Sequence, residues 1–484
     1  MLTRAIGPSA TNVGGGPRTG MPWLAVSGLL LVGATAGWAE PGWRFSDGRS
    51  ATSPPTPSAR AERPSPDPLA NPVMGIPQPQ AEAAALKREA VAVATQVAEA
   101  YPEDALAYAL LGSASYNTGH AEEAARHLKR CLELNPNQVD AYAVLARVAY
   151  DRGDLVETVS LCQEALRRGP PSSEVLNRLG RALMDLGRTA EAAQALQQAV
   201  RLPEPTSESH YLLGQASLQS GDYPQAKENF QRAIGLLPDH TQAFFGLYTA
   251  SLRLGLTEEA TRYREQFQKL EAADRRSLTD RSAQEDTLTG LPLVRQTVAR
   301  TFFGAAQIHR LHGRAELAAG LLRKSASLDP ENLLYRATLE ADFVQRKALP
   351  EGVAVFQQLA AEQPTNSLNY LFLGRLQGRL RQVDAAEVAY RKVQELAPRW
   401  AEGYRALAEL NLRANRNLAE ALALARKAAE LEPSGSHYYL LAVLSLRNED
   451  RAGARTAASK AVALSPDQNE YQEFLQHLEA MPRP

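Results

Sequence analysis

From about Glu82 onward, small and apolar residues recur three or four positions apart, and glycine or proline breaks the run at regular intervals. After Pro102, the segments 105–117 and 121–134 each carry such a stripe and predict two amphipathic helices. Gly119 between them supplies the left-handed conformation that ends the first, and Pro136 stops the second. Gly112 and Ala124 are small enough for the two helices to approach closely, while Tyr108, Leu111, Leu128 and Leu134 fill the space between them. One hairpin of this kind cannot cover its own apolar faces and must stack on others.

The punctuation has a fixed period. Gly119, Gly153, Gly187, Gly221 and Gly255 are each 34 residues apart, as are Gly112, Ala146, Gly180 and Gly214. Pro102, Pro136, Pro170 and Pro238 lie on the same grid, with Glu204 in the remaining slot. A second block is closed by Pro330, Pro364, Pro398, Pro433 and Pro466, at intervals of 34, 34, 35 and 33. Its weakest unit is the one ending at Pro364, where Glu340 and Lys347 stand in place of small residues. Self-similarity at this period predicts a stacked helical array.

The recurring set Tyr108, Leu111-Gly112, Gly119, Ala124, Leu128 and Pro136 resembles the tetratricopeptide repeat. So does the set His210, Leu213-Gly214, Gly221-Asp222-Tyr223, Ala226, Phe230, Ala233 and Pro238. The resemblance implies an all-α fold: a right-handed α-solenoid of stacked helix–turn–helix hairpins, about ten repeats in two blocks plus a C-terminal capping helix. The first block is expected over 81–272, a charged connector over 273–296, the second block over 297–466, and a capping helix and tail over 467–484.

Upstream of the array the chain changes character. Residues 40–80 hold ten prolines and few apolar residues, which predicts a semi-extended, disordered linker. Residues 1–39 place Arg4 and Arg18 before an apolar run from Trp23 to Ala36, followed by small residues up to Ala39. That order is the order of a secretory signal, cleaved or kept as a membrane anchor, and it predicts an exported protein, periplasmic, secreted or membrane-tethered. If translation starts at Met21, the basic region is lost and the signal reading weakens.

Composition narrows the function. Lys and Arg (53) balance Asp and Glu (54), so no global charge draws the chain to nucleic acid or to an acidic membrane. Two cysteines, Cys131 and Cys162, exclude a disulfide-rich scaffold or a four-cysteine zinc site; they read as buried thiols or as a bond between neighbouring repeats. His309 and His312 share a helical face without a third ligand and read as a solvated pair. No phosphate loop, nucleophile elbow or His-Glu-x-x-His motif occurs, so neither catalysis nor a cofactor or metal is expected.

What the resemblance implies instead is binding in a groove lined by the first helix of each hairpin. By helical position that groove is expected to present Tyr116, Arg147, Tyr150, Asn177, Arg181, Tyr211, Gln215, Phe245 and Thr249 in the first block. In the second it would present Phe303, Gln307, Arg310, Arg375, Arg379, Arg405, Arg413 and Tyr439. Aromatic residues and arginines anchor interfaces, and arginines pair with carboxylates. The paired lysine, asparagine and arginine of chaperone-binding members are not matched. The expected function is therefore a non-catalytic scaffold or assembly factor of a bacterial-type cell envelope, with other proteins or their peptide segments as partners. A glycan-binding module of an exopolysaccharide system, or an accessory subunit of a separate enzyme, stand as alternatives, and self-association is open.

Overall fold

A computed structural model describes residues 79–284 and 290–481, and every regular element among these residues is an α-helix, twenty-two in total. The signal reading and the linker reading up to residue 78 lie outside the described residues, as do 285–289 within the connector, while Pro79 and Gln80, expected in the linker, open the first helix.

A lone helix, α1 (Pro79–Ala100), precedes the hairpins. The first block then pairs α2 (Ala105–Asn117) with α3 (Ala121–Leu134), α4 (Val139–Asp151) with α5 (Leu155–Arg168), and α6 (Ser173–Asp185) with α7 (Thr189–Ala199). It continues with α8 (Ser207–Gln219) on α9 (Tyr223–Leu236) and α10 (Thr241–Arg253) on the long α11 (Thr257–Gln284). The second block pairs α12 (Leu291–Leu311) with α13 (Ala315–Leu328), α14 (Leu333–Gln345) with α15 (Leu349–Glu362), and α16 (Ser367–Arg379) with α17 (Val383–Leu396). It ends with α18 (Ala401–Ala414) on α19 (Leu418–Leu431) and α20 (Gly435–Arg447) on α21 (Arg451–Leu464), closed by α22 (Asn469–Ala480). The result is a solenoid of ten stacked hairpins among the described residues.

Side chains on the grid explain the local structure. Asp104, Ser172, Thr206 and Asn366 cap their helices by accepting a backbone N–H of the first turn. The turn glycines of the first block sit at φ between +74° and +88°. In the second block the same left-handed position recurs every 34 residues at Gly313, Lys347, Arg381, Asn415 and Glu449. Only the first of these is glycine, which is why the sequence pattern looked looser there. A residue with a Cβ costs about 1–2 kcal/mol in that conformation.

In eight of the ten hairpins a small residue on the first helix meets a residue 16 positions on. A Cβ added to Gly112 would lie 2.5 Å from Leu128, one on Gly180 2.5 Å from Leu196, and one on Gly374 2.5 Å from Tyr390. Where the first helix carries Ala146 instead, the second carries the smaller Cys162. Both cysteines are free and buried, and burial pushes each thiol up to about 12. The fifth hairpin, with Tyr248 at the small position, and the seventh break the rule; in the seventh Glu340 occupies it and is itself buried.

The charged connector is largely an extension of the helices on either side of it. Most of 273–296 is helix, because α11 runs to Gln284 and α12 begins at Leu291. Outside its own hairpin, α12 packs mainly on α1, at the other end of the first block, and it touches α2 as well. Ala90, Ala94 and Val97 of α1 pack against Val298, Phe302, Ala305 and Ile308. The flanks are polar: Arg295 binds Glu82, and Lys324 binds Glu89. His309 is buried, not solvated; the Tyr101 hydroxyl lies 2.9 Å from its Nδ1, and burial pulls its imidazole below the usual range. His312 stacks on the Tyr101 ring at 3.9 Å and binds Asp104 at 2.8 Å. The two blocks are thus joined where each begins.

Candidate binding face of the first helices

The first helices carry a ladder that repeats with the fold. Arg147 reaches Glu174 at 3.8 Å, Arg181 binds Glu208, and Arg375 binds Glu402 at 2.6 Å. Each pair is 27 residues apart, so an arginine in the middle of one first helix meets a carboxylate in the first turn of the next. Tyrosines form a second ladder. The Tyr116 hydroxyl donates to Asp151 at 2.5 Å and the Tyr150 hydroxyl donates to Asp185 at 2.8 Å, both one repeat on. Arg147 also lies over the Tyr116 ring, 4.4 Å from its centre. Burial and then the carboxylate neighbour push both phenols up to about 12.

Most of the expected residues already have partners within the array. The Tyr211 hydroxyl accepts from Gln215 at 2.6 Å, and its ring lies 4.8 Å from His240. Asn177 is half-buried with its Oδ1 unpartnered, as is the Nε of Arg147. Phe245, on the last first helix of its block, stays 48 % exposed beside Phe267. Thr249 donates back to the Phe245 carbonyl of its own helix. Tyr439 donates to Glu470 and stacks on Tyr471 of the capping helix. Gln307 accepts from Arg310, which faces the buried Asp342 at 3.8 Å.

Phe303 is a correction. Its position on α12 matches that of Phe245 on α10, yet it is only 4 % exposed and belongs to the core. Tyr335 of the following first helix covers it, ring centre to ring centre at 5.0 Å.

Four expected arginines converge. Arg375 and Arg379 from α16, and Arg405 and Arg413 from α18, line a cavity of about 770 Å³. Sequence reasoning missed Arg381, which joins them from the left-handed turn after α16, and Tyr390, which forms part of the wall. It noticed Glu340 only as a misfit, and Glu340 proves to be the carboxylate in the cavity wall. The acids are unequally bound. Burial pushes Glu402 up, but hydrogen bonds from Arg405 and Arg375 outweigh it and hold the carboxyl below its usual range. Arg405 and Arg413 share Glu409. Glu340 sees Arg375 at 3.6 Å and Arg379 at 3.7 Å, too long for strong hydrogen bonds, and burial raises its carboxyl despite both arginines. Arg381 has no acidic partner among the described residues. Counting Glu402, five guanidiniums face three carboxylates.

Comparison with known proteins bears on the repeat itself. A tetratricopeptide repeat family model matches residues 177–240, 211–264 and 410–469, and a second model of the same description matches 369–399. The chain belongs to the tetratricopeptide repeat family. The model of the second ARM domain of tetratricopeptide repeat protein 21 matches 70–153. No curated protein matches the sequence. Among solved structures, yeast Tom70 is similar at 18 % identity, over 79 % of this chain and 96 % of its own, with a TM-score of 0.35. YrrB, a tetratricopeptide repeat protein described as having an unusual peptide-binding site, is similar at 22 % identity over 39 % of this chain and 97 % of its own, with a TM-score of 0.35. MamA is similar at 23 % identity over 34 % and 97 %, with a TM-score of 0.33. Among the described residues no cluster of three or more metal-binding side chains occurs, and no helix is long and apolar enough to cross a membrane.

Proposed function

We propose that this tetratricopeptide repeat protein is a non-catalytic scaffold of a cell envelope that holds peptide segments of other proteins along the face of its first helices. The observation that carries this reading is the arginine-lined cavity on that face of the second block. The backbone that carries its surplus cationic groups is held by packed helices, so a ligand has to order only the arginine side chains. Stacked repeats offer an extended face of this kind. The envelope assignment rests on the signal-like leader and the proline-rich stretch behind it.

The test is capture of crosslinked partners from the envelope fraction of the source organism, with the full chain as bait. A parallel bait carries Arg147, Arg181, Arg375 and Arg379 changed to alanine, with its helix content checked by circular dichroism. A reproducible protein lost from the variant supports the scaffold. Specific proteins captured equally by both baits place binding elsewhere on the array. No specific protein on either bait contradicts the scaffold and favours a glycan ligand, and a copurifying catalytic chain makes the protein an enzyme's accessory subunit.

A further inference from the structure

The second-block cavity has a chemical preference written into its unequal ion pairs. Glu402 and Glu409 are held by strong contacts and account for Arg405 and most of Arg375. Arg379 has only the distant Glu340, and Arg381 has no acid at all among the described residues. Arg379 is also half exposed, so a ligand reaches it without displacing a buried side chain. Glu340 occupies a position that is glycine or alanine in eight of the other nine hairpins (Tyr248 is the exception), and a carboxylate there gives the hairpin no packing advantage over those small residues.

We propose that the cavity receives an acidic stretch of a partner polypeptide, its carboxylates bridging Arg379 and Arg381, and that Glu340 is an internal carboxylate that sets the threshold for entry. While the cavity is empty, Glu340 draws Arg375 and Arg379 inward and offsets part of their charge. An arriving carboxylate forms the planar two-bond contact with a guanidinium that Glu340, at 3.6 and 3.7 Å, does not reach. Glu340 then repels it, so a single carboxylate gains little and a run of several is needed. This selects for acidic segments and against isolated acids. The proposal rests on the peptide-binding reading above and adds the charge of the segment.

Fluorescence anisotropy of labelled octaglutamate with the full chain tests it, beside octalysine and an oligoguluronate of similar charge. Octaglutamate is expected to bind, more weakly as salt rises, and octalysine not to bind. Arg381→Gly should weaken binding about fivefold or more. Glycine suits the left-handed φ of +60° there, so this variant keeps its fold. Arg379→Ala should weaken binding similarly, and Glu340→Gln should tighten it several-fold. Arg399→Ala and Arg426→Ala, both exposed and outside the cavity, should change nothing. Octaglutamate binding that ignores Arg381→Gly and Arg379→Ala, or a Glu340→Gln variant that binds more weakly, would overturn the proposal. So would binding of oligoguluronate alone. If octaglutamate fails while captured partners still require the arginines, only the acidic-segment inference falls. If capture is also indifferent to them, the binding-face reading falls with it.

Discussion

At the residue scale the repeat is a matter of matched volumes and one special turn. Gly180 exists because Leu196 fills the space a Cβ would need. Gly180→Ala should cost about 1–3 kcal/mol of unfolding free energy by overpacking. Adding Leu196→Cys, which copies the Ala146 and Cys162 pairing, should recover part of that loss in a chemical denaturation series. The turn makes the opposite case. Glu449 holds φ at +66° without being glycine, so Glu449→Gly should raise stability by up to about 1 kcal/mol, the strain relieved less the added freedom of the unfolded chain.

Asp140 gives a pH dependence. Burial first, and then the nearby Glu174, push its carboxyl up to about 6, and its Oδ2 has no partner. The folded state therefore binds this proton more tightly than the unfolded chain. Its stabilising share is complete below about pH 4 and is lost as pH rises through about 6. Asp140→Asn should raise the melting temperature at pH 8, by an amount equivalent to about 1–2 kcal/mol, and leave it unchanged at pH 4. An equal effect at both pH values would show that the carboxyl is ordinary.

At the element scale, hairpins were legible wherever glycine marked them and less so elsewhere. The 34-residue grid was visible in the first block because glycine and proline are rare enough to stand out. In the second block only the closing prolines carried it, because Lys347, Arg381 and Glu449 do not announce a turn, although all three adopt one. Lining residues followed from helical position alone, and that is also why Phe303 was misplaced. Exposure at that position depends on what the next first helix presents, and Tyr335 lies over Phe303 while Phe245 keeps an open side. The ion-pair ladder was present in the sequence as a second spacing, 27 residues from arginine to glutamate, and becomes visible only when both charges are counted together.

At the scale of the whole molecule, the meeting of α1 with α12 was not legible. It joins residues more than 200 positions apart, such as Tyr101 and His309, and no periodicity reports such a contact. It makes the start of each block the support of the other. Phe302 is 1 % exposed at this junction, and Phe302→Ala should cost about 3–5 kcal/mol. Differential scanning calorimetry should show the loss in the melting of both blocks, whereas independent blocks would shift only the second.

The central claim is that partners bind the first-helix face of the second block. Arginine footprinting with phenylglyoxal and mass spectrometry, with and without a captured partner, tests it most directly. Arg379, Arg381 and Arg413 should lose reactivity when the partner binds, while Arg399 and Arg426 keep theirs. Protection of Arg399 and Arg426 with the cavity arginines unchanged would contradict the account.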